Sequence, residues 1–197
     1  MTILGVHACS AARGVVWADS ELYYRGLPTG GCDKISVNRY LGLVGVGSGR
    51  DAALRTVDSY VSAAVSLDLL LERLPAVLRR ADWKFPGGER MNADYAVCGF
   101  DRRVRRVVAY AFSSADNFEQ RAVRGFCLPD VRGAPYAETA DDVISAAQDQ
   151  IAVLRRQLPS AVGGVLTMAV VTEAGIVRRR IWDFSRRCML SQPAAAA

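Results

Sequence analysis

The 197-residue chain is 51% hydrophobic and 23% charged, enough for one domain that buries about 70% of its unfolded surface without disulfide or metal staples. Its five cysteines, Cys9, Cys32, Cys98, Cys127 and Cys188, are odd in number and never in a CxxC spacing, so neither a disulfide framework nor a zinc site is indicated and a reducing cytoplasm is the expected home. No signal-peptide pattern opens the chain and no apolar run is long enough for a membrane span.

The net charge of +5 raises the question of nucleic acid. The arginines fall in scattered pairs and one triplet, Arg178-Arg179-Arg180, without a recognition motif or interleaved aromatics. That pattern favours solvated faces or subunit contacts over a nucleic-acid groove. Arginine outnumbers lysine 23 to 2. Each lysine therefore stands out, because an ammonium can lose its proton where a guanidinium cannot.

In chain order, residues 2–8 and 14–18 read as a strand hairpin, followed by a Gly- and Pro-rich loop from 24 to 33. Residues 34–37 and 40–46 form a second strand pair, split by Asn38-Arg39. After Gly49 the apolar period changes: Leu54, Val57, Val61 and Val65 recur at helical spacing and predict a helix over 50–66. A second helix spans 67–83, with Pro75 marking a candidate break. Strands return at 95–100 and 104–112, and one short strand is expected near 122–128. Thr139-Ala-Asp-Asp142 has the form of a capping box and starts a third helix that ends at Arg155-Arg156. Residues 165–172 and 176–182 make a last hairpin, and 191–197 form a frayed tail. Strands in antiparallel pairs with helices in two blocks predict an α+β fold, specifically a four-layer αββα sandwich, as a single domain over 1–190.

Four features of the first fifty residues carry chemistry. Removal of Met1 would give Thr2 a free α-amine, which can serve as the base for its own hydroxyl near neutral pH. A small residue at position two is common for the same reason of methionine removal, so Thr2 alone says little. Asp19 ends the apolar run Val15-Val16-Trp17-Ala18, and Lys34 heads the next strand. As a buried pair they would lower the hydroxyl's pKa; the competing reading makes Asp19 a turn residue and Lys34 a solvated one. Gly45-Val46-Gly47-Ser48-Gly49 is a glycine-rich turn whose N–H groups suit an oxyanion. It also mimics a dinucleotide fingerprint, but Asp68, at the right distance for the ribose acid, falls between helices with no βαβ unit.

Together with Gly14-Val-Val-Trp-Ala-Asp19-Ser20, Gly42-Leu-Val-Gly-Val-Gly47-Ser-Gly-Arg-Asp51 and Gly163-Gly164-Val165, these motifs make the chain resemble the proteasome β-subunit and HslV group of N-terminal nucleophile hydrolases, including its smaller bacterial homologues. The resemblance implies a threonine endopeptidase of a self-compartmentalising particle. Thr2 would be the nucleophile, Asp19 and Lys34 its supporting acid and lysine, and Gly47 the oxyanion-hole glycine. Leu22, Cys32, Gly45, Gly49 and Ala53 fall where that family builds its specificity pocket, and the small residues imply a roomy one without fixed charge. It further implies no cofactor and no metal, a homo-oligomer in stacked rings, peptide or unfolded-protein substrates, an ATP-dependent unfoldase as a further partner, and no membrane. Pro159 and Val162 stand where active members carry an aspartate and a serine, and the usual Gly-Ser-Gly is not evident around Phe126–Asp130. These departures sustain an alternative, a ring-forming relative with weak or no peptidase activity that acts as a scaffold or binding chamber.

Overall fold

A computed structural model describes residues 3–24, 27–84, 88–89, 91–131, 136–157, 159 and 163–190, with the backbone alone for 21–24, 27–30 and 157. The elements are β1 (Leu4–His7), β2 (Arg13–Ala18), β3 (Glu21–Tyr24), β4 (Leu27–Gly31), β5 (Ile35–Asn38), β6 (Leu43–Ser48), α1 (Asp51–Ala63), α2 (Leu67–Arg80), β7 (Asp94–Asp101), β8 (Arg106–Ser113), β9 (Arg121–Ala122), β10 (Gly125–Leu128), α3 (Ala140–Gln157), β11 (Val165–Thr172), β12 (Gly175–Asp183) and β13 (Cys188–Met189). They form an α+β fold with two large antiparallel sheets. One has the order β10-β1-β2-β11-β12-β13 and the other β5-β6-β7-β8-β9, while β3 and β4 pair separately.

Alternation along the strands sorts the apolar side chains into three cores. Val15, Trp17, Leu166 and Met168 face α3 and its stripe of Val143, Ala147, Ile151 and Leu154. Leu4, Val6, Val16 and Ala169 of the first sheet meet Val44, Val46, Ala96 and Cys98 of the second. The second sheet's other face, with Leu43, Tyr95, Val97 and Phe112, receives Leu54, Val57, Leu70, Leu74 and Leu78 from α1 and α2.

Several elements differ from the sequence expectation. The Gly- and Pro-rich segment 24–33 is not wholly loop, since β3 and β4 pair within it. In a two-stranded ladder each strand has an open edge, so Pro28, opposite Tyr23, can be accommodated without breaking the sheet. Pro75 does not break α2, which runs through it. Burial of Leu70, Leu74 and Leu78 on one face outweighs the lost backbone bond, a cost of about 3 kcal/mol in an exposed helix. The strand expected near 122–128 is two: Ala122 pairs with Tyr110 in one sheet and Gly125 with His7 in the other. The chain thus changes sheets at Val123-Arg124. The start of α3 follows its capping pattern: Thr139 Oγ1 accepts the Asp142 N–H at 3.2 Å, and Asp142 Oδ2 accepts the Thr139 N–H at 2.9 Å. The tail 191–197 lies outside the described residues.

Candidate functional site

Asp19 directly follows β2 and Lys34 directly precedes β5, so the ends of the two large sheets present them to each other. Lys34 Nζ donates to Asp19 Oδ1 at 2.9 Å. Both residues are buried, 2% and 4% exposed, which removes the reading of a turn acid and a solvated lysine. The same carboxylate oxygen accepts the Ile3 N–H at 3.0 Å, while the Asp19 N–H donates to the Ile3 carbonyl at 3.1 Å. That reciprocal pair continues the β1–β2 ladder by one step beyond Leu4 and Ala18. Ile3 is held in turn by its side chain, 1% exposed in the α3-facing core.

Ser20 binds the surrounding segments to this corner. Its Oγ accepts the Val165 N–H at 2.9 Å and its carbonyl accepts the Cys32 N–H at 2.7 Å. A cleft of about 240 Å³ opens here, lined among others by Asp19, Ser20, Cys32, Lys34, Thr167 and Arg178. Arg178 of β12 pairs with Asp33 across its rim. Burial pushes the Cys32 thiol up to about 11, with Lys34 lowering it and Asp51 raising it. Cys32 is therefore a neutral wall of the cleft at ordinary pH.

The glycines of β6 sit to one side of this cleft. The β5–β6 register pairs Ile35 with Val46, and its next step sets Gly47 across from Lys34. A Cβ on Gly47 would meet Leu54 Cδ2 at 2.5 Å and Tyr95 Cδ2 at 2.6 Å, so packing alone requires glycine there. The space beside Gly45 is taken by the hydroxyls of Tyr95 and Ser36, and that beside Gly49 by the Trp83 ring. Ala53 is 4% exposed within the core beneath α1. Of the expected pocket residues whose side chains are described, Cys32 alone lines the cleft; Thr2 and the Leu22 side chain lie outside the described residues, as does Val162. Pro159 is exposed.

Sequence reasoning missed Thr167, the place of Ser20 and Arg178 in the cleft, and a half-buried acid behind Gly45. The Tyr95 hydroxyl donates to Asp58 Oδ1 at 2.6 Å and lies 3.1 Å from Ser36 Oγ. Burial pushes the Asp58 carboxyl up to about 6 despite these hydrogen bonds. Ser20 stood at the end of the Gly14–Ser20 motif and Arg178 in the arginine triplet, and nothing in the triplet pointed to a cleft. Among the described residues, the one group of three metal-ligating side chains lies elsewhere, at His7, Cys9 and Glu138.

The described residues thus form an α+β fold with two large antiparallel sheets and three α-helices, with an acid and a lysine buried where the sheets meet. No protein-family model matches the chain, and no curated protein matches it. Among solved structures it is similar to the Anbu (Gly-1) mutant from Hyphomicrobium sp. strain MC1, at TM-score 0.66 and 14% identity, over 91% of this chain and 86% of that one. At that identity the likeness shows the fold. The expected membership in the proteasome β-subunit and HslV group is thereby corrected, because no family model supports it and a likeness at 14% identity shows the fold alone. Glycine- and serine-rich turns and apolar strand ends occur in many folds, so such short motifs do not fix a family. No helix among the described residues is long and apolar enough to cross a membrane.

Proposed function

We propose that the chain is an N-terminal-threonine hydrolase that cleaves peptide bonds, with Thr2 as nucleophile once Met1 is removed. The observation that carries this reading is the Asp19 carboxylate, which holds both the Lys34 ammonium and the Ile3 N–H through one oxygen. Thr2 is bonded directly to Ile3, so a group that fixes Ile3 restricts where the threonine can go. In this reading the α-amine takes the Thr2 hydroxyl proton and the Oγ attacks the scissile carbonyl. Lys34 stabilises the developing negative charge, and the Gly47 N–H receives the oxyanion. The amine proton passes to the leaving nitrogen, and water activated by the same amine then hydrolyses the ester.

Cys32 and the cleft beside it would take the side chain next to the scissile bond, whereas Gly45, Gly49 and Ala53 are packed against the core and would serve to shape the backbone behind it. The three cores correspond in this reading to four layers, helices, sheet, sheet and helix. The proteasome-related fold supports a homo-oligomer in stacked rings, acting on peptides or unfolded segments. Intact mass and labelling by a β-lactone test the mechanism together. Loss of the Met1 mass and a label on Thr2 are expected. Retained Met1, or peptide cleavage by Thr2→Ala at the wild-type rate, would overturn it. The exposed position of Pro159, where an aspartate would be needed, favours the second reading, a ring-forming chamber with weak activity. Wild-type rings that bind unfolded protein without cleaving it would establish that reading instead.

A further inference from the structure

The spacing of the cysteines indicated no zinc site, yet the fold gathers one from distant parts of the chain. We propose that His7, Cys9 and Glu138 bind a zinc ion at the end of the β1–β2 hairpin away from Asp19 and Lys34. A ring nitrogen of His7, the Cys9 Sγ and a Glu138 carboxylate oxygen lie within 4.8 Å of one another. A tetrahedral zinc with bonds of about 2.0–2.3 Å holds its ligands roughly 3.3–3.6 Å apart. The closing movement required is therefore at most about 1.5 Å, and Glu138, the exposed member of the three, has room to make it.

The histidine points to a ligand more than the cluster does. His7 is 1% exposed, and its Nδ1 lies 3.3 Å from the Ala137 carbonyl. Its Nε2 is buried with no hydrogen-bond partner. A proton on Nδ1, shared with Ala137, leaves the lone pair of Nε2 unused inside the protein, the arrangement of a metal-binding imidazole oriented by a backbone carbonyl. Edge-on packing against Tyr136, with ring centroids 5.6 Å apart, restricts the ring further. The backbone of Glu138 is held on both sides: its carbonyl accepts from Arg13 Nη2 at 2.7 Å and its N–H donates to Asp142 Oδ2 at 3.2 Å.

Nitrogen, sulfur and oxygen donors together suit borderline zinc better than magnesium or calcium, which take oxygen alone. Cys9 also lines a separate cleft of about 460 Å³ beside Arg106 and Arg124, which supplies an entry path and room for water as fourth ligand. The ion would tie the end of β1 to the start of α3. The site stands about 13 Å of strand from Ile3, four residues at the usual rise. Its function would be to fasten the helix to the sheet.

The test is a cobalt titration of the untagged, chelator-treated chain, followed by competition with zinc. The expected result is one equivalent of cobalt with tetrahedral d–d bands and a thiolate-to-cobalt charge-transfer band, both displaced by zinc. Cys9→Ala should abolish the charge-transfer band, and Cys188→Ala should retain it. Glu138→Gln, an exposed change that leaves the core intact, should weaken zinc by roughly tenfold or more. No saturable binding to the wild-type chain, or a charge-transfer band unchanged in Cys9→Ala, would overturn the site. Zinc affinity unchanged in Glu138→Gln would overturn the three-ligand assignment.

Discussion

Lys34 Nζ lies 2.9 Å from Asp19 Oδ1 with each side chain 1% exposed, and the two residues belong to the ends of different sheets. A buried charge pair of this kind is costly to break and cheap to replace as a unit, because removing one partner takes this counter-charge from the other in a low-dielectric interior.

Asp19→Asn and Lys34→Met should therefore each destabilise the fold by about 3–5 kcal/mol. The double variant, with both charges gone, should recover most of that loss. Urea unfolding of the three variants checks this. A loss in the double variant equal to the sum of the two single losses would show that the pair is not energetically coupled. Under the proposed mechanism peptide cleavage falls by roughly a hundredfold or more in every one of them, so the double variant separates stability from chemistry.

Cys32 gives a test of the cleft that needs no substrate. Its thiol is pushed up to about 11, chiefly by burial, so at neutral pH it offers on the order of a hundredfold less thiolate than an ordinary cysteine. Alkylation by iodoacetamide, followed by peptide mapping, should rise tenfold per pH unit up to about pH 9 without levelling. Asp51→Asn should speed it severalfold, since Asp51 raises the thiol's pKa by charge and by a hydrogen bond. A rate that levels near the ordinary cysteine value would mean that Cys32 is open to solvent.

Much of this architecture was legible locally. Alternating apolar residues marked the hairpins, and Thr139 with Asp142 marked the start of α3, because those signals are written between neighbours in sequence. Asp19 and Lys34 stood out as an acid closing an apolar strand and one of two lysines. What could not be read depends on pairing between distant strands. Asn38 looked like a break between strands, yet it is 2% exposed and its Nδ2 donates to the carbonyls of Val61 and Ala64 at 2.9 and 2.7 Å, satisfying the end of α1. Arg178 reached the cleft only through its register with β11. The small residues at 45 and 49 implied open space, but Tyr95 and Trp83, from strands and loops far along the chain, occupy it.

Asp58, behind Gly45, should make stability depend on pH in a defined window. Its carboxyl is pushed up to about 6 in the folded protein, against about 3.9 in an unfolded chain. The folded state thus binds the proton more tightly, and the associated stability is complete below about pH 4 and lost as pH rises through about 6. The loss amounts to about 2–3 kcal/mol. Asp58→Asn can still accept from Tyr95 but does not ionise. The stability of wild type relative to this variant should therefore fall between about pH 4 and pH 7, as read from paired urea midpoints. A constant difference would place Asp58 in solvent contact.

The tightest approach in the first sheet is that of Trp17 to Gly5. Gly5 and Trp17 are directly paired across β1 and β2, and a Cβ on Gly5 would fall 1.9 Å from the indole Cζ2. The ring cannot yield cheaply, because its Nε1 donates to Gln150 Oε1 at 3.1 Å. Gln150, fully buried on α3, in turn donates to the carbonyls of Leu4 and Leu128 at 2.8 and 2.7 Å. A methyl at position 5 would displace the indole and with it the amide that fastens α3 to β1 and β10. Gly5→Ala should cost about 3 kcal/mol or more, at the upper end of overpacking. Gln150→Leu should cost a similar amount, by leaving the indole N–H and two carbonyls short of a partner at about 1–3 kcal/mol for each group left unsatisfied. Gly42→Ala provides the control, since at φ +62° a Cβ meets nothing within 4 Å and backbone strain alone should cost about 1 kcal/mol. Because Gly5→Ala and Gln150→Leu break the same contact, their combination should cost clearly less than the sum of the two, and urea unfolding of the three proteins measures that coupling. Additive losses would show that Trp17 and Gln150 do not act as one unit.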